Sequence, residues 1–260
     1  MTEILRYSHV DICYNGVPAV RDVSFDLKKG EILGIAGESG SGKSTLIRAA
    51  MGLLGPGGLV TRGDVWYQGL DLPDLTEREA RKLNGPELSM IFQNAGASFC
   101  PVRTVGSQLY ESMSEHGKIS GTDFRVQAAD ILNKIGFDNP RRVLDSYPFE
   151  LSGGMCQRVG IAAAILLKPK VLLADEPTSA LDVSVQKQVV EELLLLRETY
   201  EMSMIIVTHN IGVIRAMADR VLVMKNGEAV EYGETARVLE KPKETYTRKL
   251  MAAVPKLRRE

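Results

Sequence analysis

The stretch Gly37-Glu38-Ser39-Gly40-Ser41-Gly42-Lys43-Ser44-Thr45 matches the phosphate-binding loop pattern G-x-x-x-x-G-K-[ST]. The apolar run over 31–36 predicts a buried parallel strand before it, and apolar residues at helical spacing over 45–54 predict a helix after it. A glycine turn beside a surface lysine is the alternative, and the strand–loop–helix context disfavours it. The stretch therefore predicts a site for a nucleoside triphosphate.

The residue types of this loop suit phosphate chemistry. Glycines let the backbone approach phosphate oxygens, and the N–H groups of the loop and of the helix N-terminus face the anion. We expect Lys43 to reach the β- and γ-phosphates and the Ser44 hydroxyl to ligate Mg²⁺. The other loop residues expected to contact the nucleotide are Gly37, Ser39, Gly40, Ser41, Gly42 and Thr45.

Composition and charge limit the class of protein. The 260 residues are 44% hydrophobic and 25% charged, which is ordinary for a globular protein, and the net charge of -1 gives no electrostatic footprint for nucleic acid. No apolar run reaches the roughly 20 residues that span a bilayer, and no signal-peptide pattern opens the sequence. We therefore expect a cytosolic protein, unless a partner holds it at a membrane. The three cysteines, Cys13, Cys100 and Cys156, lack metal-ligand spacing and receive no role.

Hydrophobic periodicity predicts alternating strands and helices. Strands are expected over 4–12, 20–27, 63–69, 87–93, 171–177 and 203–208, and a hairpin is expected at Asn226-Gly227. Helices are expected over 76–83, several times within 105–145, and over 157–167, 183–198 and 246–253. This alternation predicts an α/β protein with a mostly parallel sheet. His9 and His116 are expected to be exposed and without partners.

Two adjacent acids, Asp175 and Glu176, lie at the end of the predicted strand over 171–177. Ligands of open α/β sheets bind at the carboxyl ends of the strands, so Asp175 suits the Mg²⁺ shell and Glu176 suits a base facing a water molecule. Adjacent residues of a strand point to opposite faces, so the alternative gives one acid to a turn and the other to solvent. The upstream phosphate loop favours the functional pair.

Three further features have both a functional and a structural interpretation. Ser152-Gly153-Gly154 opens a predicted helix, which suits anion binding but also an ordinary capped helix start. Tyr14 lies beside a glycine turn. It is either a platform on which a nucleotide base stacks or an ordinary tyrosine at the edge of a strand. His209 differs from the other histidines because it follows the carboxyl end of a predicted strand.

Taken in order, these motifs resemble those of the ATP-binding subunits of ABC transporters, over essentially the whole chain. The Ser-Gly-Gly turn is decisive, because other P-loop enzymes share the Walker motifs but not this turn. The correspondences are the Walker A loop at 37–45, the Q-loop at Gln93, the signature at Leu151-Ser152-Gly153-Gly154, Walker B at 171–176, the D-loop at Ser179-Ala180-Leu181-Asp182, the switch histidine at His209 and the adenine-stacking aromatic at Tyr14.

The resemblance implies a P-loop NTPase core over 1–93 and 152–235, with an N-terminal antiparallel β subdomain, an inserted α-helical subdomain over 94–151 and a short C-terminal segment over 236–260. It implies that two such subunits bind ATP head to tail. Ser152, Gly153 and Gly154 would then contact the nucleotide held by the other subunit. The catalytic residues implied are Glu176, His209, Gln93 and Lys43; Gln93 and Asp182 also line the nucleotide, and Ser44, Gln93 and Asp175 hold Mg²⁺.

Within the family, the motif sequences are similar to those of the oligopeptide, dipeptide and nickel import group. Gly153-Gly154-Met155 and the closing Tyr246-Thr247-Arg248 carry this similarity. Because peptide-import members typically extend beyond the closing motif, the ending at Glu260 favours the nickel-importer ATPase, with a peptide importer as the alternative. Asn210 and Cys100 depart from the usual family residues, and neither belongs to the catalytic set.

The resemblance also implies partners. It implies a second ATPase subunit, more readily a paralogue than a copy, two transmembrane permease subunits, an extracytoplasmic binding protein that acts indirectly, and a place on the cytoplasmic face of the membrane. A competing class is the ABC ATPases of DNA repair or translation, which usually carry two cassettes or a long coiled-coil insert. A nucleotide-binding regulator without turnover would be expected to have lost Glu176 or His209, and this sequence contains both.

Overall fold

The computed structural model describes residues 2–179 and 181–252, which form ten strands and ten α-helices. The strands are β1 (Glu3–Tyr14), β2 (Val17–Lys28), β3 (Ile32–Ala36), β4 (Gly58–Tyr67), β5 (Leu70–Asp71), β6 (Leu88–Ile91), β7 (Val171–Asp175), β8 (Ser203–Val207), β9 (Arg220–Lys225) and β10 (Glu228–Glu234). The helices are α1 (Lys43–Ala50), α2 (Glu77–Leu83), α3 (Val105–Ser114), α4 (Gly121–Lys134), α5 (Pro140–Asp145), α6 (Gly153–Ile165), α7 (Val183–Tyr200), α8 (Ile211–Met217), α9 (Thr235–Glu240) and α10 (Thr245–Ala252).

The chain divides into two compact units. The first holds residues 2–76 and 203–252, and the second holds residues 77–202 apart from Ala180. Ala180 of the predicted D-loop and the C-terminal residues from Ala253 onward lie outside the described residues. The boundaries expected from the sequence, with a helical insert over 94–151, remain a prediction.

The first unit contains an antiparallel sheet with the strand order β2-β1-β4-β5. Its long strands confirm those expected over 4–12 and 20–27, since apolar residues alternate along them and face the core. The strand expected over 63–69 begins earlier, at Gly58, because the end of β1 offers a pairing partner there: Tyr14 lies opposite Gly58.

The same unit contains four strands in the order β10-β9-β3-β8. β3 is parallel to both β8 and β9, and β10 pairs with β9 as an antiparallel hairpin. Asn226 and Gly227 connect that hairpin with φ of 50° and 86°, which confirms the turn expected from the Asn-Gly dipeptide. Parallel pairing on both sides of β3 explains why all five of its residues are buried.

Side chains fix the amino ends of these parallel strands. The Ile32 N–H donates to Asp219 Oδ2 at 2.8 Å, and the Gly30 N–H donates to Ser203 Oγ at 2.9 Å. Arg220, at the start of β9, binds both Asp26 and Glu31 through its guanidinium group. The strands are therefore held at one end, while their carboxyl ends carry the loops that form the candidate site.

The second unit contains the parallel pair β6 and β7 and six helices. The helical pattern over 105–145 forms α3, α4 and α5, whose first turns are capped by Thr104, Ser120 and Asn139 respectively. Each cap accepts a hydrogen bond from a backbone N–H that the helix itself leaves without a partner. These caps explain where one helical stretch divides into three.

Three further expectations from the sequence need correction. The helix expected over 45–54 ends at Ala50, because Gly52 takes a left-handed φ of 66° and the Leu53 N–H bonds back to Arg48. The helix expected over 157–167 begins at Gly153, since Ser152 caps it. His9 does have a partner: its Nδ1 lies 2.7 Å from Asp22 Oδ1 on the exposed face of β1 and β2.

Candidate functional site

The phosphate loop of the first unit is shaped by glycines that no larger residue could replace. A Cβ on Gly37 would lie 2.3 Å from the backbone oxygen of Met224, and one on Gly42, whose φ is 94°, would lie 2.9 Å from the Ala19 oxygen. Gly40 also has a left-handed φ, of 79°. The backbone therefore approaches its neighbours in a conformation that L side chains forbid.

Lys43 begins α1 and is buried. Its ammonium donates hydrogen bonds to the backbone oxygens of Gly37 at 2.9 Å and Glu38 at 2.7 Å, and it lies 3.5 Å from Ser41 Oγ. The cation is thus held over the loop by the loop's own carbonyl groups. Gly42 caps the helix without a side-chain hydrogen bond, so the first N–H groups of α1 have no side-chain oxygen of the cap residue as acceptor.

This arrangement fits a triphosphate with its Mg²⁺. A buried lysine, a glycine backbone and a helix N-terminus without a capping side chain are what an anion requires. Among the described residues no group of three or more His, Cys, Asp or Glu residues could hold a metal ion. Mg²⁺ does not need such a cage, because it is commonly held by one or two protein oxygens together with substrate phosphates.

His209 and Tyr14 lie in the same unit as the loop. His209 is exposed and follows Thr208 at the carboxyl end of β8. Because Ile35 of β3 pairs with Val207, this end of β8 adjoins the strand that enters the loop. Tyr14 ends β1, partly exposed, and its ring packs against the backbone of Gly58, where a Cβ would lie 2.8 Å from Tyr14 Cε1.

In the second unit, the two acids do not fit the alternative in which one of them faces solvent. Asp175 is the last residue of β7 and is wholly buried. Glu176 is 8% exposed and leaves the strand in a left-handed conformation, with φ of 51°. The rule of opposite faces fails because Glu176 is not in the strand. Strained φ values of this kind in non-glycine residues are concentrated at functional sites.

The signature residues begin α6 at the surface. Ser152 accepts a hydrogen bond from the Met155 N–H at 3.3 Å, and Ser152 and Gly153 are exposed. An open cleft of about 1020 Å³ in this unit is lined by residues of three predicted motifs, including Gln93, Gly153 and Ser179. The structure therefore brings the Q-loop, the signature and the D-loop to one cleft.

Asp182 caps α7. Its Oδ1 accepts hydrogen bonds from the Val185 N–H at 2.9 Å and from the Ser184 hydroxyl at 2.6 Å, and the Ser184 bond is the main reason that its pKa lies below the ordinary value. A contact between Asp182 and a nucleotide remains a prediction.

The sequence interpretation missed two polar residues of α6. The Gln157 side-chain amide donates to the Pro177 oxygen at 2.9 Å and so holds the turn after Glu176. Arg158 lies 2.9 Å from Glu192 of α7, and its guanidinium is 4.7 Å from the centre of the Phe137 ring. In the sequence, both are polar residues within the mainly apolar pattern over 153–165, and that pattern is the signal that points to them.

Glu192, on α7, is a buried acid of this unit. It is 6% exposed, and burial raises its pKa to about 7 against the opposing effect of Arg158. Among the described residues, neither carboxylate oxygen accepts a hydrogen bond of good geometry. The ion pair therefore only partly offsets the cost of removing the carboxylate from water.

Comparisons with known proteins identify the family. The family model described as ABC transporter matches residues 20–179. The ATP-binding protein CntD of a metal-staphylopine import system in Staphylococcus aureus is 38% identical over 256 residues, which is 98% of this chain and 94% of that protein. The dipeptide transport ATP-binding protein DppD of Escherichia coli is 42% identical over 237 residues, which is 91% of this chain and 72% of that protein.

A solved structure supports the same assignment. The dimeric, post-hydrolysis ATP-binding cassette MJ0796, bound to ADP and phosphate, superimposes with a TM-score of 0.78 and 28% identity, covering 89% of this chain and 99% of that one. The chain belongs to the ABC transporter family: it is an ATP-hydrolysing enzyme that uses ATP with Mg²⁺, and the expected fold class is confirmed. No helix among the described residues is long and apolar enough to cross a membrane.

Proposed function

We propose that this chain is the ATP-hydrolysing subunit of an importer for nickel or a related metal chelate. The observation that carries the ATPase part is the phosphate loop, in which Lys43 is buried against the carbonyls of Gly37 and Glu38. The cargo rests on the similarity to CntD, a metal-staphylopine import protein, which extends over 98% of this chain.

The proposed nucleotide site uses the residues expected from the sequence. Tyr14 stacks on the base, and the loop residues Gly37 and Ser39 to Thr45 bind the phosphates. Mg²⁺, when bound, neutralises charge on the β- and γ-phosphates, and its protein oxygen ligands would be Ser44, Gln93 and Asp175, the hard donors that this cation prefers. Asp175 is wholly buried at the carboxyl end of β7.

Glu176 is proposed to polarise the attacking water. Phosphoryl transfer depends mainly on positioning and on stabilising charge, so a carboxylate held in a fixed orientation is sufficient as the protein's contribution to the nucleophile. The left-handed φ at Glu176 and the hydrogen bond from Gln157 to the Pro177 oxygen hold the main chain at the residue that carries this carboxylate. His209 and Gln93 are proposed to respond to the γ-phosphate.

A second ATPase subunit would complete the site. The start of α6, at Ser152 and Gly153, is exposed. Its N–H groups and the Ser152 hydroxyl would donate hydrogen bonds to phosphate oxygens of the nucleotide held by the opposite subunit. The partner is proposed to be a paralogue rather than a copy. Release of phosphate would separate the two subunits again.

Two permease subunits are the proposed membrane partners, with an extracytoplasmic binding protein acting through them. The second unit exposes large apolar side chains, notably Val102 at 79% and Phe149 at 72%, with Phe149 stacked on Tyr147. Exposed apolar groups of this kind favour a docking surface for protein. The chain would then work at the cytoplasmic face of the membrane.

A di- or oligopeptide importer is the second candidate. It is favoured by the 42% identity to the dipeptide transport protein DppD. The two cargoes make no difference to the residues of the ATP site, because cargo is chosen by the binding protein and the permease.

The test is ATP hydrolysis by the reconstituted importer. We expect stimulation by a binding protein loaded with nickel chelate, and none by the same protein when empty. The variant Glu176→Gln in the same complex is the control for background hydrolysis. Stimulation by peptide-loaded binding protein alone would replace the metal cargo with the peptide cargo.

A further inference from the structure

The closing motif Tyr246-Thr247-Arg248 marks the import group in the sequence but has no place in the proposed ATP site. In the structure it lies in α10, in the same unit as the phosphate loop. The contacts of α10 connect this motif to the phosphate loop.

The start of α10 is fixed to the rest of its unit. The carboxylate of Glu231, on β10, accepts hydrogen bonds from the N–H groups of Lys243 at 2.8 Å and Glu244 at 3.2 Å. Partly buried side chains of α10, those of Tyr246, Leu250 and Met251, pack against an apolar cluster that includes Ala36, the last residue of β3. The helix therefore rests on the strand that leads into the phosphate loop.

Tyr246 reaches the loop itself. The Glu38 N–H donates a hydrogen bond to Tyr246 Oη at 3.3 Å, and the carbonyl of the same Glu38 accepts the bond from Lys43 Nζ at 2.7 Å. On its other side, the Tyr246 ring lies 5.0 Å from the Lys225 ammonium, at the end of β9. Tyr246 thus lies between the end of β9 and the residue that holds Lys43.

Strand β9 also contacts the loop directly, at Gly37. The backbone oxygen of Met224 lies so close to Gly37 that a Cβ there would be 2.3 Å away. Burial raises the pKa of the Tyr246 hydroxyl above its ordinary value. Gly37 and Glu38 are consequently bounded by Met224 on one side and by Tyr246 on another.

We propose that Tyr246 is a positioning residue for the nucleotide site: by holding the Glu38 peptide group, it sets the carbonyls that orient Lys43 toward the triphosphate. The C-terminal helix is then part of the nucleotide site rather than an appendage. This inference rests on the proposed assignment of residues 37–45 as the phosphate loop.

The test compares Tyr246→Phe with wild type in the full chain. The variant keeps the ring over Lys225 and loses only the hydroxyl. We expect the Kd for MgATP to rise about 3-fold, within the range for one hydrogen bond of ordinary net strength. KM should rise with it while kcat stays unchanged, and amide hydrogen exchange without nucleotide should become faster in residues 37–44 but not in α10.

Tyr232→Phe is the matched control. It removes a tyrosine hydroxyl that bonds Asp26 in the same unit, at 3.0 Å from the Asp26 oxygen, without touching the loop. Equal effects of the two variants on Kd and on exchange over 37–44, or no effect of Tyr246→Phe on either, would overturn the inference. Lys43→Ala separates failure of the loop assignment from failure of the positioning role. If Lys43→Ala kept wild-type affinity for MgATP, the loop assignment would be wrong. If Lys43→Ala lost binding while Tyr246→Phe had no effect, only the positioning role of Tyr246 would be wrong.

Discussion

Replacing Glu192 by glutamine should remove a pH-dependent loss of stability. Burial raises the pKa of Glu192 from 4.5 in a model peptide to about 7 in the folded chain. The folded state therefore holds this proton more tightly than the unfolded state does, so stability is greatest below pH 4.5 and is lost as pH rises through 7. Two and a half pH units, at about 1.4 kcal/mol each, amount to roughly 3 kcal/mol.

Urea unfolding of wild type and Glu192→Gln at pH 5, 6, 7 and 8 measures this effect. The protonated acid and the amide are nearly isosteric, so the two proteins should have similar free energies of unfolding near pH 5. At pH 8 the glutamine variant should be the more stable by about 3 kcal/mol, consistent with buried ion pairs whose desolvation cost exceeds their attraction. Other titrating groups cancel in the difference between the two proteins.

A constant difference in the free energy of unfolding between the two proteins from pH 5 to pH 8 would contradict this prediction. It would mean that Glu192 ionises at an ordinary pKa and that Arg158 fully offsets its burial. A glutamine variant less stable at pH 8 would go further, because it would show that the charged pair stabilises the contact between α6 and α7.

Two other substitutions test the nucleotide site directly. Lys43→Ala should abolish binding of MgATP, measured by titration calorimetry, because it removes the buried cation that the loop carbonyls hold; normal affinity would contradict the proposed loop. Tyr14→Ala should weaken binding of ATP and GTP alike, by about 1–3 kcal/mol, since stacking on an aromatic ring does not discriminate between bases. A loss confined to ATP would indicate hydrogen-bond recognition of adenine instead.

The core of the site could be predicted because its signals are local. The glycine spacing and the flanking apolar runs predict a strand, a loop and a helix without reference to any other part of the chain. The structure confirms the strand at 32–36 and the helix that starts at Lys43. The turn at Asn226-Gly227 follows in the same way, because its two left-handed residues are encoded by the dipeptide itself.

Other features depend on contacts that periodicity does not encode. β4 begins at Gly58 because Tyr14 of β1 pairs with it. That pairing outweighs the low strand propensity of glycine. The partner of His9 is Asp22, on the neighbouring strand, which alternation places on a face without specifying what lies opposite.

The same reason hides the contact between Tyr246 and Glu38. The two residues are 208 positions apart, and a helical pattern near the end of the chain reveals an apolar face but not the loop that it meets. Glu176 is a related case: the assumption that it continues the strand is natural from its neighbours, and only its left-handed φ shows that the strand ends one residue earlier.

The role of Glu176 in activating water, within an ATPase site built on the phosphate loop, is tested by the rate of phosphate release from Glu176→Gln. With MgATP affinity measured in parallel on the same preparations, the variant should bind ATP as wild type does, accumulate as an ATP-bound dimer with its partner subunit, and release phosphate at least 100-fold more slowly, the loss expected for a general base. Hydrolysis at the wild-type rate, with binding intact, would contradict the claim.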